Sequence, residues 1–334
     1  MALASGCART SPDEKPLQLV ERRGLAMGSE LHLTAWSDDP LKTGAVFEDV
    51  FHDFDRLDGL MSVWKDGSDV LRLNAAAGDH PVPVSADTLQ ALQAARQVSE
   101  WTGGKFDVTF GALSDLWKFD QDQDDRIPDP AEIRRRLPLI DYRKLVVDVG
   151  ARTAFLQQKG MRAHLGGIGK GYAVQDAVRM FRDSGLKDFV IQAGGDLYVG
   201  GVRGDRPWRL GINDPRGPGG DSFAVVELRD STFSTSGDYE RFFMKDGVRY
   251  HHIIDPGTGQ PARGCRSVTI VADSPLLADG LSTGVFLLGP EKEMALIERL
   301  PHVEGVIVSD KNEVLISSGL RDAVTILHPP TDAP

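Results

Sequence analysis

The chain has 334 residues, 41% hydrophobic and 26% charged, a composition that suits a folded protein with a substantial core. Its net charge of −11 excludes the basic face that a nucleic-acid backbone requires, so an anionic ligand needs local cations or a bound metal. Two cysteines, Cys7 and Cys265, make neither a metal motif nor a disulfide framework. Cys265 precedes an apolar strand and reads as a partly buried small residue.

Met1-Ala2-Leu3-Ala4-Ser5-Gly6-Cys7 resembles the end of a bacterial lipoprotein signal, in which the cysteine would be acylated. The basic and most of the apolar regions of such a signal are missing. The expectation is an exported protein tethered by Cys7 to the periplasmic side of the inner membrane, with residues 1–17 as signal remnant and tether. Two short strands follow around Arg22-Arg23-Gly24 and over the alternating 31–36. A helix is expected over 41–60, with Val46, Phe47, Val50, Phe51, Phe54 and Leu57 on one face and Gly59 as its stop. Met61-Ser62-Val63-Trp64 then leads through a polar turn to Leu71-Arg72-Leu73-Asn74. Ser85 caps a second helix to about Trp101. The acidic run at Asp120, Asp122, Asp124 and Asp125 lacks the glycine and glutamate of an EF-hand loop and reads as solvated.

A short helix at 130–137 precedes strands at 145–149 and 153–156. The centre of the sequence is His164-Leu165-Gly166-Gly167-Ile168-Gly169-Lys170-Gly171-Tyr172-Ala173-Val174, with four glycines in six residues. Glycine lets the backbone turn sharply and approach a ligand, and a helix starting there would aim unpaired N–H groups at it. The spacing matches neither standard nucleotide fingerprint, so a phosphate cradle and a tight packing turn both remain open. A helix at 172–184 and strands at 189–192 and 197–199 follow. Further strands are read at 209–212, 224–228, 232–235, 241–244, 248–254 and 267–270. Helices at 276–287 and 291–300, a hairpin at 305–317 and a strand at 324–327 close the chain. The whole reads as one two-lobed α+β unit over 18–328, with mixed or antiparallel sheets flanked by helices and a short tail at 329–334.

Several residues offer chemistry. Asp279 and Thr283 lie four apart on a helix, hence on one face, and are hard oxygen donors suited to Mg²⁺ or Ca²⁺; local capping and packing is the competing reading. His252 and Asp255 end a strand in a Pro–Gly turn, as an acid/base pair, a ligand edge or a satisfied turn. The stretch Ser234-Thr235-Ser236-Gly237-Asp238-Tyr239-Glu240-Arg241 is a polar ligand loop or a β-turn. Asp107, after a Gly-Gly turn, needs a partner if buried, which a ribose or an amide would supply.

In order, Met27-Gly28-Ser29, Met61-Ser62-Val63-Trp64, Phe106-Asp107-Val108-Thr109, the glycine turn, Ala193-Gly194-Gly195-Asp196, Ser236 to Arg241, His252-Ile253-Ile254-Asp255-Pro256 and Ala278 to Thr283 resemble the ApbE-type FAD:protein FMN transferases. The resemblance spans about 25–327 and implies that family's T-fold-like architecture. It implies Mg²⁺-dependent transfer of FMN from FAD to a threonine or serine hydroxyl of a target protein, with release of AMP. Carried over, Met27, Trp64, Lys105, Phe106, Asp107, His164, Lys170 and Ile254 would contact the dinucleotide. Asp279, Thr283 and a backbone carbonyl, Gly167 before Gly169, would hold the metal. His252, with Asp255, would assist the acceptor hydroxyl. Three positions depart from the family: His164 replaces a usual aspartate, Ser29 a threonine and Gly169 an alanine. A FAD pyrophosphatase and a flavin carrier without turnover are the alternatives. The acceptor implied is a subunit of a membrane redox complex or a flavin-carrying domain.

Overall fold

The structure, a computed structural model, describes residues 16–119 and 122–333; Cys7, the first fifteen residues and Asp120 lie outside it. Among the described residues there are seven α-helices: α1 (Pro40–Met61), α2 (Asp69–Ala75), α3 (Ala86–Trp101), α4 (Pro130–Arg136), α5 (Gly169–Asp183), α6 (Pro275–Phe286) and α7 (Pro290–Ile297). None is long and apolar enough to cross a membrane.

Side-chain caps start most of them, as local sequence dictates. Asp39, Ser68, Ser85, Asp129 and Ser274 each accept an N–H of the first turn. Leu71-Leu73-Asn74 thus belongs to a helix, capped by Ser68. Gly59 does not stop α1, which runs to Met61 and buries Phe47, Val50, Phe54 and Leu57. That glycine is not left-handed and its missing Cβ faces open space, so packing holds the helix through it.

The centre is an eight-stranded sheet in the order Gln18–Ala26, Ser29–Ser37, Phe189–Ala193, Asp196–Gly200, Ser231–Gly237, Cys265–Ala272, Val303–Ser309 and Val314–Ile316. Every neighbouring pair is antiparallel. The two-residue period of a strand divides its side chains between two layers. Phe189, Ile191, Tyr198, Val268, Ile270 and Ile307 face the helices and join the main core. Leu197, Val199, Phe233, Val271, Val306 and Val308 face a three-stranded sheet of Trp208–Asn213, Ser222–Leu228 and Val324–Ile326.

A smaller third core supplies the second lobe. Leu113, Trp117, Phe119 and Ile133 pack on Phe243, Tyr250 and Ile254. Four of these rings stack in a cycle, with centroid separations of 5.2 to 6.0 Å. The hairpin Phe242–Lys245 and Val248–His251 carries two of the four. The strand expected over 248–254 is therefore two, because the chain leaves the hairpin after His251 and resumes pairing at Ile254–Asp255 with Gln260–Pro261.

Candidate active site

Between the two lobes lies a cavity of about 620 Å³. The glycine turn forms one wall. Gly166, Gly167 and Lys170 line it, and α5 begins at Gly169, three residues before the expected start. The early start has a packing cause. A Cβ on Gly171 would lie 2.4 Å from the Pro275 carbonyl oxygen and 2.5 Å from Asp279 Cβ, so only glycine lets α5 close on α6. At that contact Gly171 N–H donates to Asp279 Oδ2 at 2.7 Å.

Gly167 and Gly169 separate clearly. The Cβ direction of Gly167 is 3.6 Å from Thr283 Oγ1 and 3.3 Å from Phe106, whereas that of Gly169 meets Met27 and Met61. Gly167 is therefore the glycine beside Thr283. Ser236 Oγ lies 3.1 Å from Thr283 Oγ1 and 2.8 Å from Ser282 Oγ, bringing the strand Ser231–Gly237 to the same point.

Asp196, quoted from sequence within a motif but given no role there, completes this end. It is buried, accepts Ser234 O–H at 2.5 Å, and pairs with Lys170 Nζ at 3.0 Å. Lys170 is thus bound to a carboxylate rather than held out as a free phosphate ligand. Burial pulls its ammonium down, but Asp196 and Asp279 together outweigh burial and hold it above its ordinary value. Burial first, and repulsion from Asp196 second, push the Asp279 carboxyl well above the usual carboxylate range. Lys170 alone does not offset the cost of ionising both buried carboxyls, and a divalent cation beside Asp279 would favour its ionised form. The donor set of Asp279, Thr283 and the Gly167 backbone is all oxygen, as Mg²⁺ requires.

His164 lines the cavity entrance. Its Nδ1 accepts Gly166 N–H at 3.0 Å, the i+2 hydrogen bond that an aspartate makes in an Asx turn. The ring lies over Gly166, where a Cβ would come within 2.6 Å of it. His164 thus makes the turn contact that an aspartate would make there. Trp64 lines the mouth and is 63% exposed, and Phe106 and Ile254 line the interior.

Three assignments need correction. Met27 does not line the cavity; its side chain is half-buried against the main core, while Gly28 and Ser29 do the lining. Asp107 lines it, but its carboxylate is already engaged by the chain itself. Thr109 N–H and O–H donate to Oδ1 and Tyr142 N–H to Oδ2, so the partner it needed is an amide of the chain itself. Asp255 is outside the lining, with both oxygens on Lys105 Nζ at 2.9 and 2.8 Å and Gly257 N–H on Oδ1. It is the anchor of Lys105 across the two lobes and makes no pair with His252.

His252 lines the cavity, and its Nδ1 lies 3.3 Å from the Arg241 carbonyl oxygen. A carbonyl only accepts, so Nδ1 carries the proton and Nε2 keeps its lone pair. Burial, with Arg241 and His251 adding, pushes its pKa down to about 3, which keeps the ring neutral. Its neighbour His251 points the other way, into the core, on the Ala262 carbonyl at 2.9 Å.

Known proteins resemble this chain in sequence and in fold. The sequence profile of the ApbE family matches residues 27–307, and the chain belongs to that family. A FAD:protein FMN transferase of Treponema pallidum is 36% identical over 322 residues, covering 92% of this chain and 89% of the relative. One of Klebsiella pneumoniae is 32% identical over 88% and 90%. The crystal structure of the ApbE protein of Thermotoga maritima superposes with a TM-score of 0.83 at 32% identity, over 90% of this chain and 98% of that one. The flavin transferase ApbE of Vibrio cholerae gives 0.82 at 26%, over 92% and 100%.

Proposed function

We propose that this chain is a FAD:protein FMN transferase that moves FMN from FAD to a threonine or serine hydroxyl of a target protein and releases AMP, with Mg²⁺ as cofactor. The observation that carries the reading is the convergence of Gly167, Asp279 and Thr283 at one end of a cavity whose wall also bears a neutral histidine. Asp279, Thr283 and the Gly167 carbonyl would hold Mg²⁺, which would supply charge neutralisation at the pyrophosphate and at departing AMP.

The chain's own residues do the rest. Arg241 holds His252 in the tautomer whose Nε2 accepts a proton from the acceptor hydroxyl. The hydroxyl oxygen bonds to the FMN-side phosphorus, the bridging P–O bond breaks, and AMP leaves with the electron pair. Gly171 N–H and Lys170 keep Asp279 and Asp196 in place through this step. Phe106 and Trp64 offer apolar faces to the rings of the dinucleotide. Anchoring through Cys7 would put this activity at the periplasmic face of the inner membrane, where the acceptor would be a redox-complex subunit or a flavin-carrying domain.

The test is incubation with FAD and Mg²⁺, with and without a candidate acceptor domain, followed by mass spectrometry. The expected result is an acceptor heavier by one FMN and free AMP. Free FMN and AMP at the same rate without acceptor would instead make the chain a FAD pyrophosphatase. Intact bound FAD would make it a carrier.

A further inference from the structure

The segment 236–241 borders the cavity through Ser236, Gly237, Glu240 and Arg241, and its Arg241 carbonyl receives both His252 N–H and Nδ1. Beneath it sits Asp238, whose carboxylate takes both terminal nitrogens of Arg216 at 2.7 Å, with side chains 8% and 10% exposed. Asp238 N–H donates to the Arg266 carbonyl at 3.0 Å. Both arginines lead to the end of the chain. Arg216 N–H binds Asp214 Oδ1, and Asp214 Oδ2 receives Thr331 N–H at 2.9 Å and Thr331 O–H at 2.6 Å. The Arg266 guanidinium donates to the carbonyls of Thr331 and Asp310, to Asn312 Oδ1 and to Asp332 Oδ1. Pro330 O accepts Asn312 Nδ2 at 2.7 Å.

Residues read from sequence as a tail are thus bolted to the underside of the site loop. Asp310, Asn312, Thr331 and Asp332 all lie beyond the residues matched by the family profile. Buried ion pairs are a poor way to gain stability, because apolar side chains of similar size serve as well. Their advantage is a defined geometry. A base must hold its nitrogen to within about 0.5 Å of the productive position, and a carbonyl on a loop keeps that only if the loop is fixed.

We propose that residues 330–332, acting through Asp214, Arg216, Arg266 and Asp238, form a positioning strap that sets the Arg241 carbonyl and thereby the orientation of His252. The inference rests on His252 as the base. The strap touches no substrate, so its loss acts on kcat more than on the KM for FAD.

The test uses the full chain with FAD, Mg²⁺ and a threonine-bearing acceptor domain, measured well below Tm. Thr331→Val lowers kcat about threefold and Asp238→Asn about tenfold, with the KM for FAD within twofold of the parent. Thr331→Ser, which keeps the hydroxyl, restores kcat. Lower Tm with unchanged kcat in T331V and D238N overturns the strap. If D238N fails to fold, the T331V and T331S pair decides alone. Full activity in His252→Ala would remove the base itself, and that result is distinct from loss of the strap.

Discussion

Replacing Gly171 by alanine perturbs the α5–α6 contact with one methyl group. That methyl would stand 2.4 Å from the Pro275 carbonyl oxygen and 2.5 Å from Asp279 Cβ, about an ångström inside contact distance. Neither neighbour is the free end of a flexible side chain, so the helices must separate. Overpacking of this kind costs about 1–3 kcal/mol. Separation also stretches the 2.7 Å bond from Gly171 N–H to the Asp279 carboxylate, a charge-assisted hydrogen bond of about 1.5–3 kcal/mol. The sum is about 2.5–6 kcal/mol, a large fraction of the stability of an ordinary protein. Urea unfolding of both forms measures it, as a lower midpoint at similar slope. Mg²⁺ titration of AMP release reads the second consequence, since a displaced Asp279 would no longer share the proposed metal site with Thr283. A variant with parental midpoint and parental Mg²⁺ dependence would refute the claim that this glycine exists for the close approach.

Other expectations follow from the same geometry. His252→Ala lowers kcat about a hundredfold or more, the usual range for loss of a general base, while equilibrium dialysis still shows FAD binding. Asp279→Asn keeps the side-chain size but removes the charge, and raises the Mg²⁺ concentration for half-maximal turnover by about tenfold or more. A third expectation concerns Glu293, fully buried on α7 against the Cys265 thiol, which donates to it at 2.9 Å. Burial raises its pKa from 4.5 to about 7, against the opposing hydrogen bonds from Cys265 and Gly289. Between these values the folded form holds a proton that the unfolded form lacks, so this group's contribution to stability is present below about pH 4.5 and is lost as pH rises through 7. At 1.36 kcal/mol per unit the loss is about 3 kcal/mol. Glu293→Gln removes it, so the stability of the variant relative to the parent should grow by that amount from pH 4.5 to 8 in urea titrations. A pH-independent difference would remove the buried-carboxyl explanation.

What the sequence determined by itself is local. Caps such as Ser85 and the period-two and 3.6-residue patterns mark most elements, because each depends on residues within one or two turns. That Asp279 and Thr283 present one helix face to the cavity was legible for the same reason, since residues four apart on a helix share a face. The glycine turn was legible as a place of close approach, though what approached it was not.

Tertiary structure decided the pairings. Gly171 meets Asp279 over 108 residues and Lys105 meets Asp255 over 150. Lys170, expected at the dinucleotide, pairs with Asp196 because the sheet order sets the strand Asp196–Gly200 beside Ser231–Gly237 and under α5. Asp255 read as a partner of His252 from a separation of three residues, yet the chain turns between them and Lys105 claims the carboxylate from the other lobe. The role of Asp196 went unread and the C-terminal strap read as a tail for one reason. A polar residue in an otherwise ordinary strand or terminus carries no periodic signal, and its role exists only once strand order and register bring a distant charge to it. Local propensity depends on neighbours in the chain; a buried charge depends on neighbours in space, which one sequence does not order.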